Sequence, residues 1–256
     1  MRTNNYFSAA LFVILIATSL AGQAQTAPRT PSDVVRQFYK AMRERHFKDA
    51  WSMTIYKPAV EDLTAEEMED LRGTFEERAS QIPEQVEITG EQINGNTATV
   101  FIKVPSTEAS PQVTSQPATL ILSNGVWIIG TEADAEIVRK AGRRYFLDAL
   151  INENQGLAED LLKSLVGLQA VYAQQHNGAF GDLPALIRAN LLSSDASDPK
   201  ATGYNTRLVV GADGKTFVAT AEPARYGHTG KFSYWMDQTG NLKSLDNGGK
   251  PLGPPK

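Results

Sequence analysis

The side chains able to do chemistry are few and scattered. Histidine occurs only at His46, His176 and His228, without the paired spacing of a zinc-binding helix. His46 falls in a polar turn between two helical runs. His228 sits between Gly227 and Thr229, where nothing nearby in sequence completes a metal site, and both read as solvated loop residues. Ser193-Ser194 lacks the Gly-x-Ser-x-Gly setting of a nucleophile elbow. Asp195, Asp198 and Asp213 offer oxygens that suit calcium, but not at the spacing of an EF-hand loop. Asp237 precedes Gly240 in a turn, where a carboxylate is expected to accept backbone N–H bonds. Cysteine is absent, which removes disulfides, thiolate metal sites, thiol catalysis and a lipidated N-terminal Cys. The expectation is a non-enzymatic chain with no catalytic, cofactor-binding or metal-binding set, and no cofactor.

The charge is uneven. Between Glu61 and Glu91 there are eleven acids and two bases, Arg72 and Arg78, whereas from Ile151 onward the count is ten against ten. The one basic cluster is Arg139, Lys140, Arg143 and Arg144. It could pair with the acidic stretch, but exposed pairs contribute only about 0–1 kcal/mol each, so a solvated face is the expectation. No broader Lys/Arg surface or Gly-rich phosphate loop is present, so nucleic acid and nucleotides are not expected as partners.

At the amino terminus Arg2 precedes the apolar run Ala9–Ala17, and small residues follow to Gly22-Gln23-Ala24. A charged start, a short apolar run and a small-residue exit describe a signal peptide over residues 1–24 with cleavage near Ala24. The alternative is a retained anchor, for which the run falls short of the roughly 20 apolar residues a span needs. The expected location is the periplasm or outside the cell, with no membrane span after cleavage.

Two α+β modules are expected: residues 30–150, including a connector helix, and residues 156–250. In the first, Thr30-Pro31-Ser32-Asp33 starts a helix carrying Val34, Val35, Phe38 and Met42 on one stripe. Phe47, Ala50 and Trp51 suggest a short second helix. Thr64-Ala65-Glu66-Glu67 is a capping box ahead of the stripe Met68, Leu71, Phe75, Ala79. Hairpins then turn at Asn94-Gly95 and Asn124-Gly125, giving an antiparallel sheet. Helix is expected again over 132–150, with a hinge or break at Asn152–Gly156. In the second module, Leu161, Leu165, Leu168 and Tyr172 form one helical face. A short helix from Asp182 and strands at 204–210, 215–221, 231–236 and 241–245 follow.

The stretches Thr30-Pro31-x-x-Val34-Val35-x-x-Phe38-Tyr39-x-Ala41-Met42, Phe47-x-x-Ala50-Trp51 and Gly125-x-Trp127 resemble the cone-shaped nuclear-transport-factor-like superfamily, in particular its small secreted bacterial branch. The resemblance implies helices lying in a curved sheet. Some members are isomerases or dehydratases, but none of their catalytic residues has a match here. Filling of the cone by Phe38, Trp51, Phe75 and Trp127 is expected.

The set Tyr172, Gly178, Phe180, Leu183, Gly203-Tyr204, Ala221-x-Pro223, Gly230 and Tyr234-x-x-Asp237-x-x-Gly240 resembles the soluble head of type IV pilin-like and pseudopilin-like proteins. It implies a long helix packed on a small antiparallel sheet. Unlike a pilin, this chain has another module where the apolar assembly helix would stand. The functional expectation is an exported binding or envelope-associated assembly protein that meets protein partners. The alternatives are an isomerase-like or small-molecule-binding protein using the cone cavity, and a minor filament or secretion-system subunit.

Overall fold

The computed structural model describes residues 29–82, 84–104 and 114–253. The expected signal peptide and cleavage site lie outside them. The fold is α+β, with two four-stranded antiparallel sheets and a long helix preceding the second.

Helix α1 (Pro31–Arg43) starts where Thr30 Oγ1 accepts the Asp33 N–H at 3.2 Å and the Asp33 carboxylate accepts the Thr30 N–H in return. It serves two cores. Val34 and Val35 pack on the first sheet with Ala98, Val100, Ile102 and Leu120. Ala41 and Met42, two turns on, pack among the helices α2 (Phe47–Ser52), α3 (Lys57–Val60), α4 (Ala65–Asp70) and α5 (Arg72–Ser80). The stripe Met68, Leu71, Phe75, Ala79 is thus carried by two helices that meet at Leu71. The four aromatics expected to fill a single cone separate as well. Trp51 and Phe75 belong to the helical core, with Phe38 against it, while Trp127 packs on the sheet core.

Strands β1 (Glu87–Asn94), β2 (Thr97–Val104), β3 (Thr114–Ser123) and β4 (Val126–Ile129) pair in sequence order. The last hairpin turns through Asn124 and Gly125 at φ 50° and 77°, the doubly positive geometry that favours Asn-Gly. Strand β3 continues past Pro117, which pairs with Phe101 of β2. The pairing of β3 with β4 covers only Leu120–Ser123, so the side where the proline lacks an N–H has no ladder to break.

The connector differs most from expectation. Helix α6 (Glu132–Ala141) stops at Gly142, and α7 then runs without interruption from Arg144 to Gln175. Residues 152–156, read as a hinge, lie inside α7. Their polarity has another cause: they dock a loop. Asn154 Nδ2 donates to Thr229 O at 3.0 Å, Gln155 Oε1 accepts the Lys231 N–H at 3.1 Å, and Gln155 O accepts the Tyr234 hydroxyl.

After α7 come α8 (Leu183–Arg188), a 3₁₀ turn (Ser194–Ser197), α9 (Pro199–Thr202), and strands β5 (Tyr204–Val210), β6 (Phe217–Pro223), β7 (Phe232–Asp237) and β8 (Leu242–Asp246). The buried line of α7 is Ala158, Leu162, Leu165 and Gln169, with Leu168 and Tyr172 only partly buried. Apolar periodicity passes over Gln169, yet its amide is completely buried and brackets Gly181, giving to its carbonyl at 2.6 Å and taking from its N–H at 2.9 Å. A buried amide is tolerated because both of its ends are bonded.

Candidate functional site

Helices of the first lobe and the start of α7 enclose a half-open cleft of about 420 Å³. Its aromatic wall is Trp51 of α2, Tyr56 at the start of α3, and Tyr145 and Phe146 of α7. These rings form a continuous cluster, with Trp51 and Tyr56 centroids 5.5 Å apart at 87°, Trp51 and Phe146 at 5.3 Å, and Tyr56 and Tyr145 at 5.3 Å. Such spacings suit edge-to-face and tilted packing, so the wall is stiff. The polar wall is Arg78 of α5 with Asp148 and Asn152 of α7.

Three details define what the cleft offers. Trp51 is 6% exposed and its indole Nε1 finds no hydrogen-bond partner. Among the described residues the Arg78 guanidinium makes no ion pair or hydrogen bond, whereas Asp148 is held by Arg144 Nε at 3.1 Å with Lys231 Nζ at 4.0 Å. Burial pushes the Tyr56 hydroxyl above its ordinary pKa, helped by neighbouring Tyr145 and opposed by the positive charge of Arg78. The unpaired groups of the lining thus include two donors, the buried Trp51 indole N–H and the exposed Arg78 guanidinium.

A second cluster joins the lobes. The loop 224–231 between β6 and β7 brings Arg225 and His228 against α4 of the first lobe. Arg225 pairs with Asp70 and, at 2.9 Å, with Glu66; His228 Nδ1 stands 3.4 Å from Asp70 Oδ2. The Asp70 side chain is only 8% exposed, and this burial raises its pKa despite Arg225 and His228. The expectation of a solvated His228 therefore fails, because its partner comes from the other lobe and sequence proximity carries no sign of it.

The solvated-face reading of the basic cluster fails at one position too. Arg139 and Lys140 pair within α6, and Arg144 pairs with Asp148. Arg143, however, reaches into the acidic stretch and donates through Nε to Glu67 Oε1 at 3.0 Å. Glu67 is 3% exposed and also closes the capping box of α4, its Oε2 accepting the Thr64 N–H at 2.9 Å. Burial pushes the Glu67 carboxyl up, but Arg143 and Thr64 outweigh it and hold it below the usual value.

The remaining flagged residues do local work. Asp237 accepts the Thr239 N–H at 3.0 Å, Asp213 the Lys215 N–H at 2.9 Å, and Asp198 the Lys200 N–H at 2.9 Å. Ser193 Oγ caps the 3₁₀ turn through the Asp195 N–H. His176 stacks on Tyr172 with centroids 3.7 Å apart. His46 precedes α2 on the surface and borders a shallow hollow of about 230 Å³. Among the described residues no group of three or more His, Cys, Asp or Glu is placed to hold a metal ion. None of the histidines, serines or aspartates singled out for chemistry enters the cleft, which is built from Trp51, read as core, three further aromatics, Arg78 of the acidic stretch, and Asp148 and Asn152 of α7.

No protein-family model, curated protein or solved structure matches the chain.

Proposed function

We propose that the protein is an exported, non-enzymatic binding protein of the cell envelope whose second lobe meets a protein partner. Export rests on the Arg2, Ala9–Ala17 and Ala24 pattern. The observation that carries the partner reading is an exposed valine pair on the outer face of the second sheet. Val209 and Val218 face each other across β5 and β6 and are 65% and 36% exposed. Leu245 of β8, paired with Ser233, is exposed at the opposite corner of the same face, with buried Trp235 and Ser233 between it and the valines. Leu208, Phe217, Ala219 and Met236 on the inner face are buried against α7 and α8, so the outer valines add nothing to the lobe's own core. Val209 and Val218 are direct cross-strand neighbours, so together they present one continuous exposed aliphatic spot of the kind that can serve as a contact. The lobe carrying them is braced against the first through α7 and the Arg225 contacts.

A photo-reactive phenylalanine analogue in place of Val209 tests the reading in the native envelope. The expected result is one discrete adduct, lost with Val218→Lys and not formed from Ile93 of the first lobe. Absence of an adduct from position 209, or equal adducts from both lobes, would refute it.

A second reading, small-molecule binding, is favoured by the cleft against α7. The space between α1 and the first sheet is occupied by Val34, Val35, Val100, Ile102 and Leu120.

A further inference from the structure

We infer that the cleft bounded by Trp51, Tyr56, Arg78 and Tyr145 binds a small organic anion: a flat apolar body with one carboxylate or similar acceptor group. The inference deepens the small-molecule reading and is independent of the second-sheet surface.

Size comes first. The cleft's volume of about 420 Å³ lies within the range of ordinary ligand sites, roughly 300–1,000 Å³. The second consideration is the wall. Trp51, Tyr56, Tyr145 and Phe146 form one cluster with centroids 5.3–5.5 Å apart, in which buried Trp51 and Phe146 back the partly exposed rings of Tyr56 and Tyr145, so the apolar wall is preformed. A flat hydrocarbon or heteroaromatic body fits such a platform at little cost in side-chain entropy.

Polarity then selects the head group. A buried indole N–H is a donor with no capacity to accept, and leaving it unpaired is costly. Trp51 Nε1 is buried and unpaired. The other free group, Arg78, is a fork of five donors with fixed positive charge. The one carboxylate in the lining, Asp148, is already held by Arg144 and has Lys231 nearby, so it neither claims Arg78 nor repels an incoming anion strongly. A neutral acceptor would satisfy the indole but leave the guanidinium without its counter-charge. A cation would meet Arg78 as a like charge. An anion answers both groups.

The test uses the folded mature protein with the Trp indole nitrogen labelled, and follows the Trp51 N–H resonance, assigned with Trp51→Phe. The probes are indole-3-acetate, 1-naphthoate and 4-phenylbutyrate, each beside its neutral amide. At least one acid is expected to shift the Trp51 resonance saturably and to bind about tenfold or more tightly than its amide, the size of one charge-assisted contact. Arg78 is exposed, so Arg78→Met leaves the fold intact; it is expected to abolish the preference for the acid while leaving the amide's affinity unchanged. Saturable binding of acid and amide with equal affinity, or an acid preference that survives Arg78→Met, would overturn the anion assignment and leave the small-molecule reading standing. No saturable shift of Trp51 with any probe at millimolar concentration would overturn both.

Discussion

Glycines at positions 156 and 167 allow the continuity of α7 to be tested quantitatively. Both lie inside the helix, both are exposed, and a methyl group added at either meets nothing within 4 Å. Neither has a positive φ, so alanine fits without strain. Glycine in a helix interior costs about 1 kcal/mol relative to alanine, because the unfolded chain loses more freedom on folding. Gly156→Ala and Gly167→Ala are each expected to stabilise the protein by about 0.5–1 kcal/mol. The sites are about 16 Å apart along the helix at 1.5 Å per residue, beyond the usual range of coupling. The double variant should therefore gain about 1–2 kcal/mol, or roughly 2–8 °C in Tm for a chain of this size. Gly156→Pro should cost about 3 kcal/mol or more, by removing a helical hydrogen bond and clashing with the preceding turn. Urea unfolding followed by far-ultraviolet circular dichroism reads all four variants. If Gly156→Ala is neutral or destabilising while Gly167→Ala stabilises, the helix is interrupted near 156 and the reasoning fails.

Two ion pairs should respond to pH in opposite directions. Glu67 has a folded pKa below its ordinary 4.5, so its stabilising contribution is complete above that pH and fades as pH falls through the folded value. Glu67→Gln should cost about 1–2 kcal/mol at neutral pH, with Arg143 half exposed, and progressively less in acid, as read by urea titrations across the range. Asp70 has a folded pKa above its ordinary 3.8, so its carboxyl favours the folded state at low pH and that contribution is lost as pH rises through the folded value. Arg225→Met leaves this carboxylate buried with only His228 beside it, and should cost about 3 kcal/mol at pH values where Asp70 is charged. Adding Asp70→Asn should recover most of the loss in the same assay, and no recovery would remove the clamp from the account.

How much was legible beforehand varied with how local each feature is. Caps and turns depend on residues within about four positions of one another, so Thr30-Pro31, Thr64–Glu67 and Asn124-Gly125 announced themselves, whereas the first hairpin turns one residue later than read, through Gly95 and Asn96. The strands of the second sheet were marked by alternation and by the Asp213-Gly214 and Asp237–Gly240 turns. The division of the aromatics between two cores was hidden, because apolar spacing says that a side chain is inside and not which neighbours it meets.

The chain alone determined its α+β class, the positions of most elements, and its lack of thiol chemistry, since each follows from local hydrogen bonding or from composition. Tertiary structure alone decided the continuity of α7, the bracketing of Gly181 by Gln169, the pairing of Arg225 with Asp70, and the meeting of Trp51, Arg78 and Tyr145 around one cleft. The physical reason is the same in each case. A polar group inside a helix is satisfied by whatever backbone or charge the fold brings against it, and residues 155 positions apart carry no mutual imprint in the sequence.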